Sequence, residues 1–322
     1  MKKVSVGKHV VVLILAAFWI IMFALNGNFR MGDNLASILR EASSTGIAAL
    51  GMTFIIIMGD FDLSIGSMLA FLGIVMAGAM NSAGMVPSLI LVCIAGVICG
   101  LLNGVIVSYF NVPAFITTLG TYYSFRALAY ILNDANTIMC TEPAFLQIGN
   151  GSIGIIPIPF IMLLVLAVIG AVILNRTVYG RNVRALGNSM KACSISGINT
   201  KRVKTLAFML MGFCTAAATM IVTARQACAS PDVATNFHFD AITVVVLGGT
   251  KLTGGEGSIF NTVIAAILYA SVANCLNLYH VDAKWQRICM GIILLLAFSF
   301  DFIQRTVGRL RENSQKKAAQ SA

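Results

Sequence analysis

Apolar residues fall in ten long runs separated by short polar punctuation. The runs lie near 10–26, 43–59, 64–80, 87–110, 114–132, 157–175, 203–224, 239–250, 257–279 and 286–303. Most approach the roughly 20 residues that an α-helix needs to cross a bilayer. The pattern predicts an all-α, polytopic membrane protein of about ten transmembrane helices. It is read as one transmembrane domain over residues 1–322, with a polar loop at 176–204 and a charged tail at 304–322. Residues 133–156 contain several glycines and lead into Pro157, and they are read as an outer connection with a short helix of their own.

Two of the punctuating segments are rich in glycine and sit beside runs that are too short. They read GDFDLSIGS, Gly59 to Ser67, and GGTKLTGGEGS, Gly248 to Ser258. Both fit the pattern G-x-x-x-L-[ST]-x-G, as an internal duplication would leave. Irregular backbone at membrane depth survives where protein or a water-filled cavity satisfies its polar groups, so broken helices mark transport paths. The run at 87–110 carries Gly96, Gly100 and Gly104, a spacing that lets a second helix approach closely.

Composition agrees with the pattern. Hydrophobic residues make up 58% of the chain and charged residues 11%, against the roughly 25% charged of a soluble domain. The net charge of +10 does not point to nucleic acid, because the cations are sorted by side. Lys2, Lys3 and Lys8 precede the first run, and Arg305, Arg309, Arg311, Lys316 and Lys317 follow the last. Seven cations and no acid lie between Asn175 and Lys204. Asp33, Glu41, Asp134, Glu142, Asp232 and Asp282 fall in the alternating loops. Basic loops stay in the cytoplasm, so both termini and the 176–204 loop are expected there. The run Val10 to Leu25 has no good cleavage site after it and is read as an uncleaved span. Eight cysteines show no metal-type spacing, and only Cys140 and Cys228 fall near the outer face.

The basic loop has its own local code. Asn188 is placed as a helix N-cap, Ser189 to Ser196 as the helix, and Gly197 as its C-terminal cap. A helix of about 8 residues is roughly 12 Å long. Met190, Cys193 and Ile195 are assigned to its apolar face, with Ala192 small enough for close approach. Such a helix at the membrane surface can pass force to a soluble partner.

Enzyme chemistry is absent from the sequence. There is no GxxxxGK[ST] phosphate loop, no HExxH and no GxSxG. The chain is read as a non-enzymatic transport subunit that holds no cofactor. Ionisable residues inside or beside the runs are few: Asp60, Asp62, Arg126 and Asp240. Burying a charge in hydrocarbon costs a few kcal/mol at least. Asp60 and Asp62 are therefore paired with backbone donors of the glycine-rich breaks or form part of a path or gate. Arg126 is assigned to an interfacial anchor or ion pair. Ser64, Asn103, Thr117 and Thr118 are the polar candidates for the path, and interhelical hydrogen bonding is the competing role for the span residues.

GDFDLSIGS, AFITTLGTYYSFRALAYIL (Ala114 to Leu132), RNVRALGNSMKACSISGINTKRVK and VVVLGGTKLTGGEGS together resemble the permease subunits of bacterial sugar ABC importers of the ribose/arabinose/galactose type. The resemblance runs in order from about residue 43 to 303. It implies a type II importer-like fold in the bacterial inner membrane. It implies a second permease copy or a homologous permease, a cytoplasmic ABC ATPase subunit that binds ATP and Mg, and a periplasmic or lipid-anchored sugar-binding protein. Membrane lipid is the remaining partner. The resemblance places ATPase coupling on Asn188, Ser189, Lys191, Ala192, Ser196, Gly197 and Ile198. Glu256 stands where relatives often carry a basic residue. A nucleoside, amino acid or signalling-sugar permease is the alternative within the same class. An ion-coupled secondary carrier is the alternative outside it.

Overall fold

A computed structural model describes residues 10–296 together with Ser299. The basic residues at 2–8, the end of the tenth run and the tail at 304–322 lie outside the described residues.

Helices dominate. They are α1 Val10–Leu25, α2 Gly32–Ile57, α3 Ile65–Ala83, α4 Met85–Tyr109, α5 Ala114–Ile131, α6 Pro143–Asn150, α7 Ile158–Arg176, α8 Val178–Asn188, α9 Met190–Ile195, α10 Thr200–Gln226, α11 Phe237–Leu247 and α12 Ile259–Leu278. A 3-10 turn, Gly27–Arg30, separates α1 from α2, and residues 283–296 are again helical. Two small antiparallel ribbons were not anticipated. Strand β1 (Ile138–Met139) pairs with β4 (Cys228–Ala229), and β2 (Ser152–Ile153) pairs with β3 (Ile156–Pro157). The short helix expected within residues 133–156 is α6.

Among the described residues, α3, α4, α7, α10 and α12 are long and apolar enough to cross a membrane. Their outward faces are apolar too. On α4, Ile90, Ile94, Ile98 and Leu102 are about half exposed, and on α7 Val165, Val168, Ile169 and Val172 are as well. Such a continuous apolar exterior is the surface that a bilayer solvates and that water does not.

The centre of the bundle is α2, whose residues from Ala42 to Ile57 are all buried. The buried hydroxyls of Ser43, Ser44 and Thr53 are satisfied locally or by a neighbour. Ser43 Oγ donates to the Leu39 carbonyl, and Thr53 Oγ1 lies 3.0 Å from Thr262 Oγ1 on α12. Helices α4 and α10 pack closest. A Cβ on Gly100 would overlap the Phe208 carbonyl, and one on Gly104 would lie 2.8 Å from Thr205 Cα. The glycine row of α4 therefore serves helix packing, as its spacing predicts. Gly212 on α10 completes the contact, since a Cβ there would overlap the Gly96 carbonyl.

Two interruptions shape the rest. Helix α11 has 11 residues, roughly 16 Å at 1.5 Å per residue, about half of a hydrocarbon core. The segment between α2 and α3 is the first glycine-rich break, and the segment between α11 and α12 is the second.

Candidate functional site

Three segments meet at one end of the bundle: the C-terminal ends of α2 and α11 with their glycine-rich breaks, and the α8–α9 hairpin. The Gly255 N–H donates to the Ile57 carbonyl at 2.8 Å, which ties the second break to the end of α2. Gly187, near the end of α8, fits into this junction. A Cβ there would overlap the Ile57 carbonyl and crowd the Gly255 nitrogen. Asn188 follows, its side-chain amide packed against Gly255. Gly254 and Gly255 both have φ near +85°, a conformation that non-glycine residues rarely adopt, so the second break can turn this tightly only with glycine.

Helix α8 was not foreseen. Thr177 caps it, accepting from the Gly180 N–H at 3.1 Å, and Gly180, Val183 and Leu186 form its buried stripe. Helical conformation continues through Asn188, which corrects the expected cap. The N-cap of α9 is Ser189, whose backbone is extended and whose Oγ accepts from the Ala192 N–H at 3.2 Å. The far end of α9 follows expectation. Gly197 has φ +76°, its N–H donates to the Ser194 carbonyl, and the Ile198 N–H donates to the Cys193 carbonyl. This paired pattern is a Schellman motif.

The assigned apolar face of α9 needs a second correction. Only Cys193 turns inward, at 5% exposure, while Met190 is 48% and Ile195 80% exposed. A helix of six residues has a single inward position, and Cys193 fills it. Of the residues assigned to coupling, Asn188, Ser189, Lys191, Ala192, Ser196 and Gly197 are exposed and Ile198 is half-buried against the core.

The charges near the breaks are also resolved. Asp60 is not held by backbone donors. It pairs with Lys204 near the start of α10 at 2.7 Å, with both side chains 14% exposed. Asp62 is fully buried and does use the break, since its Oδ1 accepts from the Ser64 N–H at 2.8 Å and from Ser64 Oγ at 2.6 Å. Asn103 on α4 then donates to Ser64 Oγ at 2.9 Å. This chain links α4 to the start of α3, near whose positive end the Asp62 carboxylate sits. Thr118 Oγ1 donates within its own helix, to the Ala114 carbonyl at 2.8 Å, with a long 3.5 Å contact to the Phe61 carbonyl of the first break, and buried Thr117 has no partner. Asp62, Ser64 and Asn103 therefore form one side-chain network, Thr118 touches the same break only through the Phe61 carbonyl, and Thr117 stands outside it.

Arg126 makes no ion pair among the described residues. It donates to the carbonyls of Pro231 and Val233 and, at 3.3 Å, to Ser67 Oγ. It thus fastens α5 to the connection before α11 and to the start of α3.

Comparison with known proteins places this architecture. The profile of a family described as branched-chain amino acid transport system / permease component matches residues 34–298. The ribose import permease protein RbsC of Bacillus subtilis is 38% identical over 88% of this chain and 88% of its own. The ribose import permease protein RbsC of Haemophilus influenzae is 35% identical over 87% and 88%. The L-arabinose ABC transporter permease protein AraH of Azospirillum brasilense is 30% identical over 88% and 84%. No solved structure matches at a significant level. With a family profile over most of its length and full-length relatives among pentose permeases, this chain belongs to the permease family of sugar ABC importers.

Proposed function

We propose that this chain forms the membrane pathway of an ATP-driven, binding-protein-dependent importer of a monosaccharide. Two permeases, identical or homologous, enclose the path in a type II arrangement of about ten spans each, with both termini in the cytoplasm. The chain itself hydrolyses nothing; ATP and Mg belong to the partner ATPase. One observation carries the reading. The exposed α9 hairpin is joined through Gly187 to the end of α2 and to the second glycine-rich break.

Closure of the ATPase on ATP pushes on Ala192, Met190 and Ile195 at the exposed face of α9. Helix α9 is too short to be stable alone, so it is held by Cys193 and Ile198 beneath and by the ATPase above. The Schellman turn at Gly197 and the Ser189 cap keep the hairpin stiff. Force passes through α8 to the Ile57–Gly255 junction, and through α10 to the Lys204–Asp60 pair. Helices α2 and α11 then rock relative to α3 and α4, which opens the path outward. A neutral sugar released by the binding protein enters. The scarcity of charged side chains inside the bundle suits a solute recognised through hydroxyl and amide groups.

A photo-crosslinking amino acid at Ile195 tests the docking half of this reading, with one at Ile153 as the comparison. Both positions are exposed, and they lie at opposite ends of α7. Crosslinking to the ATPase from position 195 and none from 153 is expected. The reverse pattern would place the ATPase at the wrong end and defeat the proposal.

A further inference from the structure

The connection between β4 and α11 descends beside α5 without regular structure. Residues 231–236 form turns, and one face of α5 marks their course. Tyr130 donates its hydroxyl to Asp232, Arg126 donates to the carbonyls of Pro231 and Val233, and the Tyr122 hydroxyl donates to the Thr235 carbonyl at 3.2 Å. The stretch of α5 from Tyr130 to Tyr122 is about 12 Å long at 1.5 Å per residue. Tyr122 lies about 13 Å inside the Ile131 end of α5, near the middle of a hydrocarbon core of about 30 Å.

The rest of the chain does not cover this connection. Asp232, Thr235 and Asn236 are exposed. Lipid cannot solvate turns at this depth; such backbone persists only inside protein or beside a water-filled cavity. The midsections of α4 and α7 show the contrast, since their outward residues are aliphatic. A dry contact with a second copy is also disfavoured. Asp232 makes no ion pair among the described residues, and burying its charge uncompensated is strongly unfavourable. The exposed side of the connection therefore borders water.

A row of rings lies along the same side. Tyr123, Tyr122, His238 and Phe239 follow one another with centroids 5.3, 5.4 and 4.2 Å apart. The two ends stand out, with Tyr123 67% and Phe239 46% exposed. His238 is 7% exposed, and its Nδ1 has no hydrogen-bond partner among the described residues. Nη2 of Arg126 has none either, and the guanidinium carbon sits 5.8 Å from the Tyr122 ring centre. Buried polar atoms are nearly always satisfied, so the row marks where water or a hydroxyl reaches in from the exposed side. Aromatic faces beside a carboxylate, an amide and a hydroxyl suit a sugar. Its C–H face packs on the rings and its hydroxyls bond to the polar groups.

We propose that this aromatic row and the 232–236 connection form the sugar-contacting wall that each permease presents to the path, with Tyr123 and Phe239 as stacking residues and Asn236 as a hydrogen-bonding residue. The assignment rests on the sugar-importer reading above. The wall is an open surface on one chain and becomes a passage only when the second permease faces it. Helix α11 links it to the α9 end. Phe239 is in the first turn of α11, and Gly248 of the second break follows its last residue. A tilt of α11 shifts Phe239 against Tyr123, which α5 carries, so the push that opens the path also changes the spacing of the two stacking rings.

The test uses the complete complex of permease, ATPase and binding protein in nanodiscs. Thr235→Cys is exposed to a small water-soluble thiol reagent, with and without ATP, and labelling is read by mass spectrometry at that residue. Ile98→Cys on α4 and Val168→Cys on α7 are the lipid-facing comparisons. Residue 235 should label while 98 and 168 do not, and at least one of D-ribose, D-xylose and L-arabinose should slow labelling at 235 several-fold. In proteoliposomes, Tyr123→Ala and Phe239→Ala should each lower sugar moved per ATP about five-fold, the scale of one lost aromatic contact. Tyr123→Phe keeps the ring and should retain the yield. No labelling at 235 in either condition, labelling that no sugar slows, full transport yield in both alanine variants, or an equal loss in Tyr123→Phe would overturn the wall while leaving the importer intact. Failure of the unmodified complex to move any of the three sugars would overturn the underlying reading and this wall with it.

Discussion

Gly187→Ala separates a coupling junction from a passive loop, because its sign is decided by opposing terms of known size. In the interior of a helix alanine is favoured over glycine by about 1 kcal/mol, so on propensity alone the variant would gain stability. The junction opposes this. The new Cβ would overlap the Ile57 carbonyl, crowd the Gly255 nitrogen and lie 3.1 Å from the Gly254 carbonyl carbon. These are backbone atoms and cannot rotate away. Overpacking of this kind costs about 1–3 kcal/mol. If the strain is relieved by opening the Gly255–Ile57 hydrogen bond, a further ~1–3 kcal/mol is lost with the unpaired buried groups. The net loss is about 2 kcal/mol or more, roughly 30-fold in the equilibrium constant between the state where the three segments meet and the state where they part. Gly120→Ala on α5 is the comparison, since a Cβ there meets nothing within 4 Å. Reconstituted complexes should show binding-protein-stimulated ATP hydrolysis and uptake reduced by about that factor for Gly187→Ala, with Gly120→Ala unchanged. Equal activity and equal melting temperatures for the two variants would refute the junction.

Asp62→Ala removes the acceptor of two Ser64 donors and should cost about 1–3 kcal/mol, read as a lower melting temperature and reduced uptake; normal values for both would show the carboxylate dispensable. Lys204→Met should leave Asp60 half-buried and unpaired and lower uptake several-fold, whereas the exchanged pair Asp60→Lys with Lys204→Asp should restore part of it; no recovery would argue against a direct ion pair. Gly197→Val forces a β-branched residue to φ +76° and should weaken the hairpin by about 1 kcal/mol or more, seen as lost ATPase stimulation in a permease that still inserts.

Much of the fold was legible because membrane helices declare themselves by length and apolarity. The runs at 64–80, 114–132 and 257–279 lie within a few residues of α3, α5 and α12. The start of α2 was missed, since Asp33, Arg40 and Glu41 make residues 32–42 too polar to read as span. Helix α8 was missed for a related reason. Its buried stripe is only Gly180, Val183 and Leu186, and three neighbouring arginines hid it in a charge pattern that reads as loop. Placing the cap one residue early followed, because Asn188 and Ser189 are both good caps and only the length of α8 chooses between them. The site divides in the same way. Asp62 and Asn103 stand out as polar residues in apolar surroundings, and they do meet. The pairing of Lys204 with Asp60, and of Arg225 with Glu41, joins residues more than a hundred positions apart. No local pattern encodes such proximity; it follows from how α2 and α10 pack.

The central claim is that ATP hydrolysis by a partner docked on α9 drives sugar through this chain. The most direct measurement is uptake of D-ribose, D-xylose and L-arabinose into proteoliposomes carrying the permease, its ATPase and its binding protein, with ATP supplied on the α9 side. Unmodified complexes should accumulate one of these sugars only with ATP and regardless of ionophore, and Ala192→Glu should abolish accumulation while leaving insertion and binding-protein docking intact. Accumulation without ATP that collapses on adding ionophore, or full ATP-driven uptake by Ala192→Glu, would contradict the account.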